Sequence, residues 1–240
     1  MKIRFGVSIH GELSGVPELP ALRIAELSGG RLTEPGFRLP PALKRKEIFL
    51  CDREDRKLYR TLGEAGIGVK QEFYRLCSKR AAAAAACGVR NFAVAPDPGD
   101  LPDLRPVLGV LCGIAEKYRL PLALEVRIPG PAADPEAFGR FRRALLYPFR
   151  TMCVLYPHES GALEAAEQFA ARFRFDCDMI RVCFDAAAGN YLSETLCRRL
   201  VKLLRPAGSA DPVMIFDPGP GADGSVYAEL DKLAGMGAAG

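Results

Sequence analysis

Short apolar runs recur along this chain, separated by longer stretches in which apolar residues fall at helical spacing. The runs are 3–9 (IRFGVSI), 22–28 (LRIAELS), 47–51 (EIFLC), 91–95 (NFAVA), 121–126 (PLALEV), 151–156 (TMCVLY), 179–184 (MIRVCF) and 212–216 (PVMIF). Most are nearly continuous rather than alternating, which predicts parallel strands covered on both faces. After the fourth run, Leu104, Val107, Leu108, Leu111, Ile114, Ala115 and Tyr118 sit three and four residues apart. Leu163, Ala166, Ala170 and Phe173 do the same after the sixth, and Leu192, Leu196, Leu200 and Leu203 after the seventh. These spacings predict amphipathic helices, with Asp134-Pro135 and Ser160 as N-cap signals. Strand and helix alternating roughly every 30 residues predict an α/β chain folded as one (β/α)8 barrel over 1–240, with an open doubly wound sheet as the runner-up. The first two βα connections, HGELSGVPELP and GGRLTEPGFRLPP, hold too much Gly and Pro for full helices and are expected to be short or irregular. The third, 52–87, is long enough for two helices broken near Gly66 and Gly68.

Composition narrows the function classes. Apolar residues make up 49% of the chain and charged residues 26%, with a net charge of only +4. The basic residues cluster as solvated helix faces (Arg140, Arg142, Arg143; Arg198, Arg199, Lys202, Arg205), and no aromatic and basic residues interleave. That argues against a nucleic-acid partner. No apolar run reaches the ~20 residues that span a bilayer, so no membrane is expected. The eight cysteines contain no C-x-x-C pair, and Cys153 and Cys183 lie inside apolar strand runs. They are expected to be reduced core thiols, which, with an opening MKIRFGVSI that runs straight into a strand, points to the cytoplasm. Exposed apolar positions on the early loops leave a homo-oligomer open.

In a barrel, chemistry gathers where the strands end at the C-terminal face. Those ends carry His10 and Glu12, Glu26, Asp52 with Glu54 and Asp55, Asp97, Glu125, His158 and Glu159, Asp185 with Asn190 beyond it, and Asp217. Acids ringed about one mouth repel unless a cation, a proton or a basic group stands among them. A divalent ion held by oxygens and one imidazole resolves that repulsion and polarises a carbonyl while a carboxylate moves a proton. An Asp after a strand also serves as the N-cap of the next helix, which is the simpler reading of Asp97, Asp185 and Asp217 taken singly. Glu125 resists such a reading, because it lies within the apolar run LALEV, where an unpartnered carboxylate is costly. After the last strand, Gly219, Gly221, Gly224 and Ser225 form a turn suited to phosphate, with Asn190 on the neighbouring loop and His10 as further substrate contacts.

The stretch KRAAAAAACGVRNFAVAPDPGDLPDLRPVLGVLCGIAEKYRLPLALEV resembles the middle of the xylose isomerase-like barrels, the sugar phosphate isomerase/epimerase group. The opening MKIRFGVSI and the IAEL of the second run are similar to that family's first strands, and the likeness covers roughly two thirds of the chain on barrel topology. The resemblance implies a divalent ion (Mn, Mg or Zn) with Glu125 as ligand. It also implies His158 and Asp185 as the other ligands, and Glu125, Asp185 and Asp217 as catalytic groups. The chain departs from the pattern in three places. Leu155 stands where the family's sixth-strand aspartate would be, three residues before His158. Val182 stands at the seventh-strand histidine, and Asp217 lies one position from the eighth-strand glutamate. A second register, matching RVCFDAAAGN and PGPGADGSVYAELDKLAGMG to later family segments, would lack a final strand, and the eight runs favour the first.

Two functions follow as expectations. One is an isomerase or epimerase of a small sugar or sugar phosphate, using metal-assisted proton transfer. The other is a catalytically degenerate barrel that binds a sugar-like ligand or a partner protein without a metal. A Schiff-base aldolase is disfavoured, since no lysine lies at a strand end.

Overall fold

The computed structural model describes residues 3–10, 12–13, 16–51, 67–94, 105–144, 149–173, 178–204 and 212–238. Eight strands form in the expected places: β1 (Arg4–Ser8), β2 (Ile24–Ser28), β3 (Glu47–Cys51), β4 (Val89–Val94), β5 (Leu122–Ile128), β6 (Arg150–Leu155), β7 (Met179–Cys183) and β8 (Val213–Asp217). Each pairs in parallel with its neighbour, and β8 pairs with β1, so the sheet closes into a barrel in chain order. The helices among the described residues are α1 (Gly29–Leu32), α2 (Ile67–Ala86), α3 (Arg105–Tyr118), α4 (Pro135–Ala144), α5 (Ala162–Arg172), α6 (Glu194–Leu204) and α7 (Gly224–Ala238). The fold is therefore the (β/α)8 barrel, and the open sheet is excluded by closure.

The early connections are slight, as their Gly and Pro content predicts: a four-residue α1 and a 3₁₀ turn at Pro41–Leu43 join β2 to β3. In the third connection α2 begins at Ile67, between Gly66 and Gly68, so its N-terminus falls where the break was expected. Gly66, Asp52, Glu54, Asp55, Asp97, Leu104, Cys177 and Arg205 lie outside the described residues. Asp134 caps α4 as predicted, its Oδ1 accepting the Ala137 N–H at 2.8 Å. Ser160 does not cap α5. The N-cap there is Gly161, at φ 72°, a conformation glycine takes without steric cost.

Two apolar cores result from the alternation of side chains along each strand. The larger lies between the strands and the helices, where α3 buries Val107, Leu108, Leu111, Ile114 and Ala115. Further along the same layer, Phe138 of α4 packs edge-on against Phe169 and Phe173 at 5.2 and 5.0 Å. The second core fills the barrel interior with Ile24, Phe49, Ala93, Ala123, Met152, Val154, Met179, Cys183, Val213 and Ile215. The seven cysteines among the described residues are free thiols, five of them buried. No helix among the described residues is long and apolar enough to cross a membrane.

The interior is tight at β1, where Gly6 faces Ile24: a Cβ on Gly6 would stand 2.7 Å from the Ile24 Cβ. Gly6→Val should therefore overpack the barrel and cost about 1–3 kcal/mol, read as a lower urea midpoint. A midpoint equal to that of the unmodified chain would show that the strands can separate there without penalty.

Candidate active site

Three charged side chains meet inside the barrel. Glu26 on β2, Glu125 on β5 and Arg181 on β7 each follow by two positions a residue that lines the interior: Ile24, Ala123 and Met179. Period-two alternation therefore turns all three inward. Arg181 is fully buried at 0% exposure, with Glu26 at 2% and Glu125 at 4%. The guanidinium grips Glu26 with two donors, Nε to Oε1 at 2.9 Å and Nη2 to Oε2, while Nη1 donates to Glu125 Oε1. The Ser8 hydroxyl adds a bond to Glu26 Oε1 at 2.5 Å, and the Cys51 thiol one to Glu125 Oε1 at 3.5 Å. Burial works against the arginine's charge, but the Cys51 sulfur and the Glu125 and Glu26 carboxylates outweigh it and raise its pKa well above the ordinary guanidinium value. A buried pair that loses one partner typically costs about 3–5 kcal/mol, so these strands are tied together across the interior.

A second constellation stands at the C-terminal ends of β1 and β8. Asp217, the last residue of β8, is 3% exposed, and its Oδ1 meets His10 Nε2 at 2.6 Å. The Gly219 N–H approaches the same oxygen at 3.3 Å, and the Cys183 thiol donates to Oδ2 at 3.6 Å. The Tyr227 hydroxyl of α7 accepts the His10 backbone N–H at 3.4 Å. With the carboxylate accepting from Nε2, the imidazole carries a proton there and Nδ1 keeps a lone pair. Nδ1 makes no hydrogen bond among the described residues, and the ring is partly open to solvent. The pair thus has the geometry of a base held in one tautomer by an acid. Across the barrel, Arg127 of β5 stacks on the Tyr156 ring at 4.7 Å and pairs with Glu159 at 2.6 Å.

The other expected residues lie apart. His158 is exposed in the turn after β6. Asp185 is exposed too. Its Oδ1 accepts the Ala188 N–H at 3.1 Å and its carbonyl accepts the Asn190 N–H at 3.0 Å, so it shapes the loop after β7. In the last loop, a Cβ on Gly221 would come within 2.6 Å of Ala187, and Gly219 sits at φ 80°, so both glycines answer to packing and backbone conformation. Gly224 opens α7. The place a phosphate would take is given to a carboxylate: Asp223 Oδ1 accepts the backbone N–H groups of Ser225 at 2.9 Å and Val226 at 3.2 Å, and the Ser225 hydroxyl at 2.6 Å. An anion brought to that turn would meet like charge.

The metal set Glu125, His158 and Asp185 is not gathered. Among the described residues no three His, Cys, Asp or Glu side chains stand close enough to hold an ion. Glu125 is buried on Arg181 while His158 and Asp185 point to solvent. Among the described residues, Glu125, His158 and Asp185 do not fit the divalent ion implied by the family resemblance. Arg181 is the residue that sequence reading missed. Its signal was there, a charge in the apolar run MIRVCF two positions from Met179, the same kind of signal that singled out Glu125.

No family model and no curated protein matches the chain. Solved structures do match along nearly its whole length. The 3-keto-D-glucoside 4-epimerase YcjR of E. coli aligns at a TM-score of 0.63 and 12% identity, covering 98% of this chain and 100% of its own. A D-tagatose 3-epimerase-like protein aligns at 0.65 and 14%, covering 98% and 97%. A xylose isomerase domain containing protein of Salmonella typhimurium aligns at 0.60 and 14%, with the same coverage. At these identities the likeness shows the fold: the chain has the barrel shared by xylose isomerase-like proteins and sugar epimerases.

Two outcomes are expected from this geometry. Ser8→Ala removes a donor from the buried Glu26 carboxylate and should cost about 1.5–3 kcal/mol in urea unfolding; an unchanged midpoint would mean Arg181 alone satisfies that oxygen. The three bonds to Asp223, led by the Ser225 hydroxyl, hold its carboxyl below the usual carboxylate range. Its contribution to stability is then present above the unfolded-state value and is lost as pH falls through the depressed folded-state value. Asp223→Asn should melt below the unmodified chain near neutral pH, with the gap closing as pH drops below about 4. A gap independent of pH would rule out a charged cap.

Proposed function

We propose that this chain is an isomerase or epimerase of a small carbohydrate, moving a proton between neighbouring carbons at the C-terminal mouth of the barrel. The observation that carries this reading is the His10–Asp217 pair. Asp217 is buried and holds Nε2, leaving Nδ1 as a base over the barrel end. A carbon next to a carbonyl can give its proton to Nδ1 and take it back at the adjacent carbon on the same face, the hydroxyl proton of the enediol moving from one oxygen to the other, while Asp217 stabilises the transient imidazolium. The mouth also offers Arg127, stacked on Tyr156 and paired with Glu159, as a cation for hydroxyl or phosphate oxygens. The shared fold of the epimerases named above supports the substrate class. Glu125, tied to Arg181, is assigned to the support of the site rather than to proton transfer, and Asp185 to the shape of its rim. The free thiols suit a reducing compartment, consistent with the cytoplasm.

One observation favours a second reading, a barrel that binds a sugar-like ligand without turnover: the carboxylate that would carry metal-assisted chemistry is neutralised by arginine. Incubation in D2O with a panel of ketoses and ketose phosphates separates the two, with carbon-bound deuterium read by NMR. Exchange that falls about 10²–10⁴-fold in His10→Gln and in Asp217→Asn supports the proposal. Absence of exchange across the panel, with ligand-induced shifts in melting temperature, supports binding alone.

A further inference from the structure

We infer that Arg181 is a resident cation, a side chain standing in for the divalent ion that Glu26 and Glu125 would otherwise require, so that these two acids are neutralised without metal. This goes beyond the proposed reaction and holds whether or not the chain turns over a substrate. Acids on β2 and β5 both reach the interior, and each brings a negative charge out of water. Such a pair needs a positive charge between its members. The structure supplies one covalently: three guanidinium donors go to Glu26 and Glu125, spanning three strands of the closed sheet.

An ion and this guanidinium exclude each other. Binding a divalent cation at Glu125 would either pull the carboxylate from Arg181, leaving a wholly buried charge short of a partner, or set two cations side by side in a dry interior. The remaining donors among the described residues do not assemble an alternative cluster. Guanidinium also differs from a metal in kind. It cannot be lost to a chelator, keeps its charge at any pH the fold survives, and offers donors in a fixed plane rather than open coordination positions. A guanidinium has five N–H groups and the bonds above use three, so two remain without a partner among the described residues.

The test begins with the unmodified protein, dialysed against manganese, magnesium or zinc and then analysed for bound metal and for melting temperature with and without chelator. The expected result is no stoichiometric ion and a melt that chelation does not move. One ion per chain, lost in Glu125→Gln, would overturn the inference. The second arm removes the cation. Arg181→Ala should melt well below the unmodified chain and recover in part with added manganese or with millimolar guanidinium, neither of which moves the parent. A variant that melts like the parent and ignores both cations would also overturn it. If Arg181→Ala does not fold, Glu26→Gln/Glu125→Gln/Arg181→Met removes all three charges together. A restored cooperative melt supports charge neutralisation as the arginine's task, and failure to restore it would show that its shape is what the fold needs.

Discussion

Two carboxylates and one guanidinium lie inside the barrel, and the placement of three strands follows from their need to meet. A charge carried into a protein interior is tolerated only with a partner and hydrogen bonds to match. Here Glu26, Glu125 and Arg181 come from β2, β5 and β7, which are not neighbours in the sheet. Only closure brings them together, since in an open sheet those strands would stand side by side in a row and the ends could not converge. The ionic network and the closed topology therefore support each other. Ser8 and Cys51, from β1 and β3, bring two further strands into the same set of bonds.

The division of the interior follows from that constraint. Apolar side chains such as Ile24, Ala123 and Met179 fill one level, and the charged residues two positions along occupy the next. Beyond them, at the strand ends, come His10 and Asp217, where water begins to reach the ring. Dry packing, a neutralised ionic layer and a partly solvated acid–base pair succeed one another along the barrel. The last of these is the level at which a small polar molecule can bind without displacing the core. The loops that might have served as an anion cradle are otherwise engaged: Asp223 holds the first turn of α7, and Gly221 makes room for Ala187.

Much of this was legible in the residues. The eight apolar runs became eight strands, with ends within two residues of expectation for all, because buried parallel strands impose continuous hydrophobicity that no other short element needs. Glu125 announced itself as a carboxylate in an apolar strand, and it is buried and bonded. What it bonds to was not legible. The need of a positive charge holds for Glu26 and Glu125, and the cation that meets it is Arg181, which the sequence did not single out. Ser160 failed as a cap because a local preference worth about 1 kcal/mol gives way to the packing of a whole helix on the sheet.

The sequence by itself determined the class of fold, the order and length of its strands, and which strand ends carry acids and imidazoles, since each of these depends on neighbours along the chain. Only the tertiary structure decided which charges meet. His10 and Asp217 are 207 positions apart, and Arg181 and Glu26 are 155 apart. Whether a carboxylate at a strand end serves a metal, an arginine, a histidine or a backbone turn depends on the side chain that arrives opposite it once the barrel closes. Coulombic attraction acts through space, and sequence position fixes distance only within a helix turn or a strand.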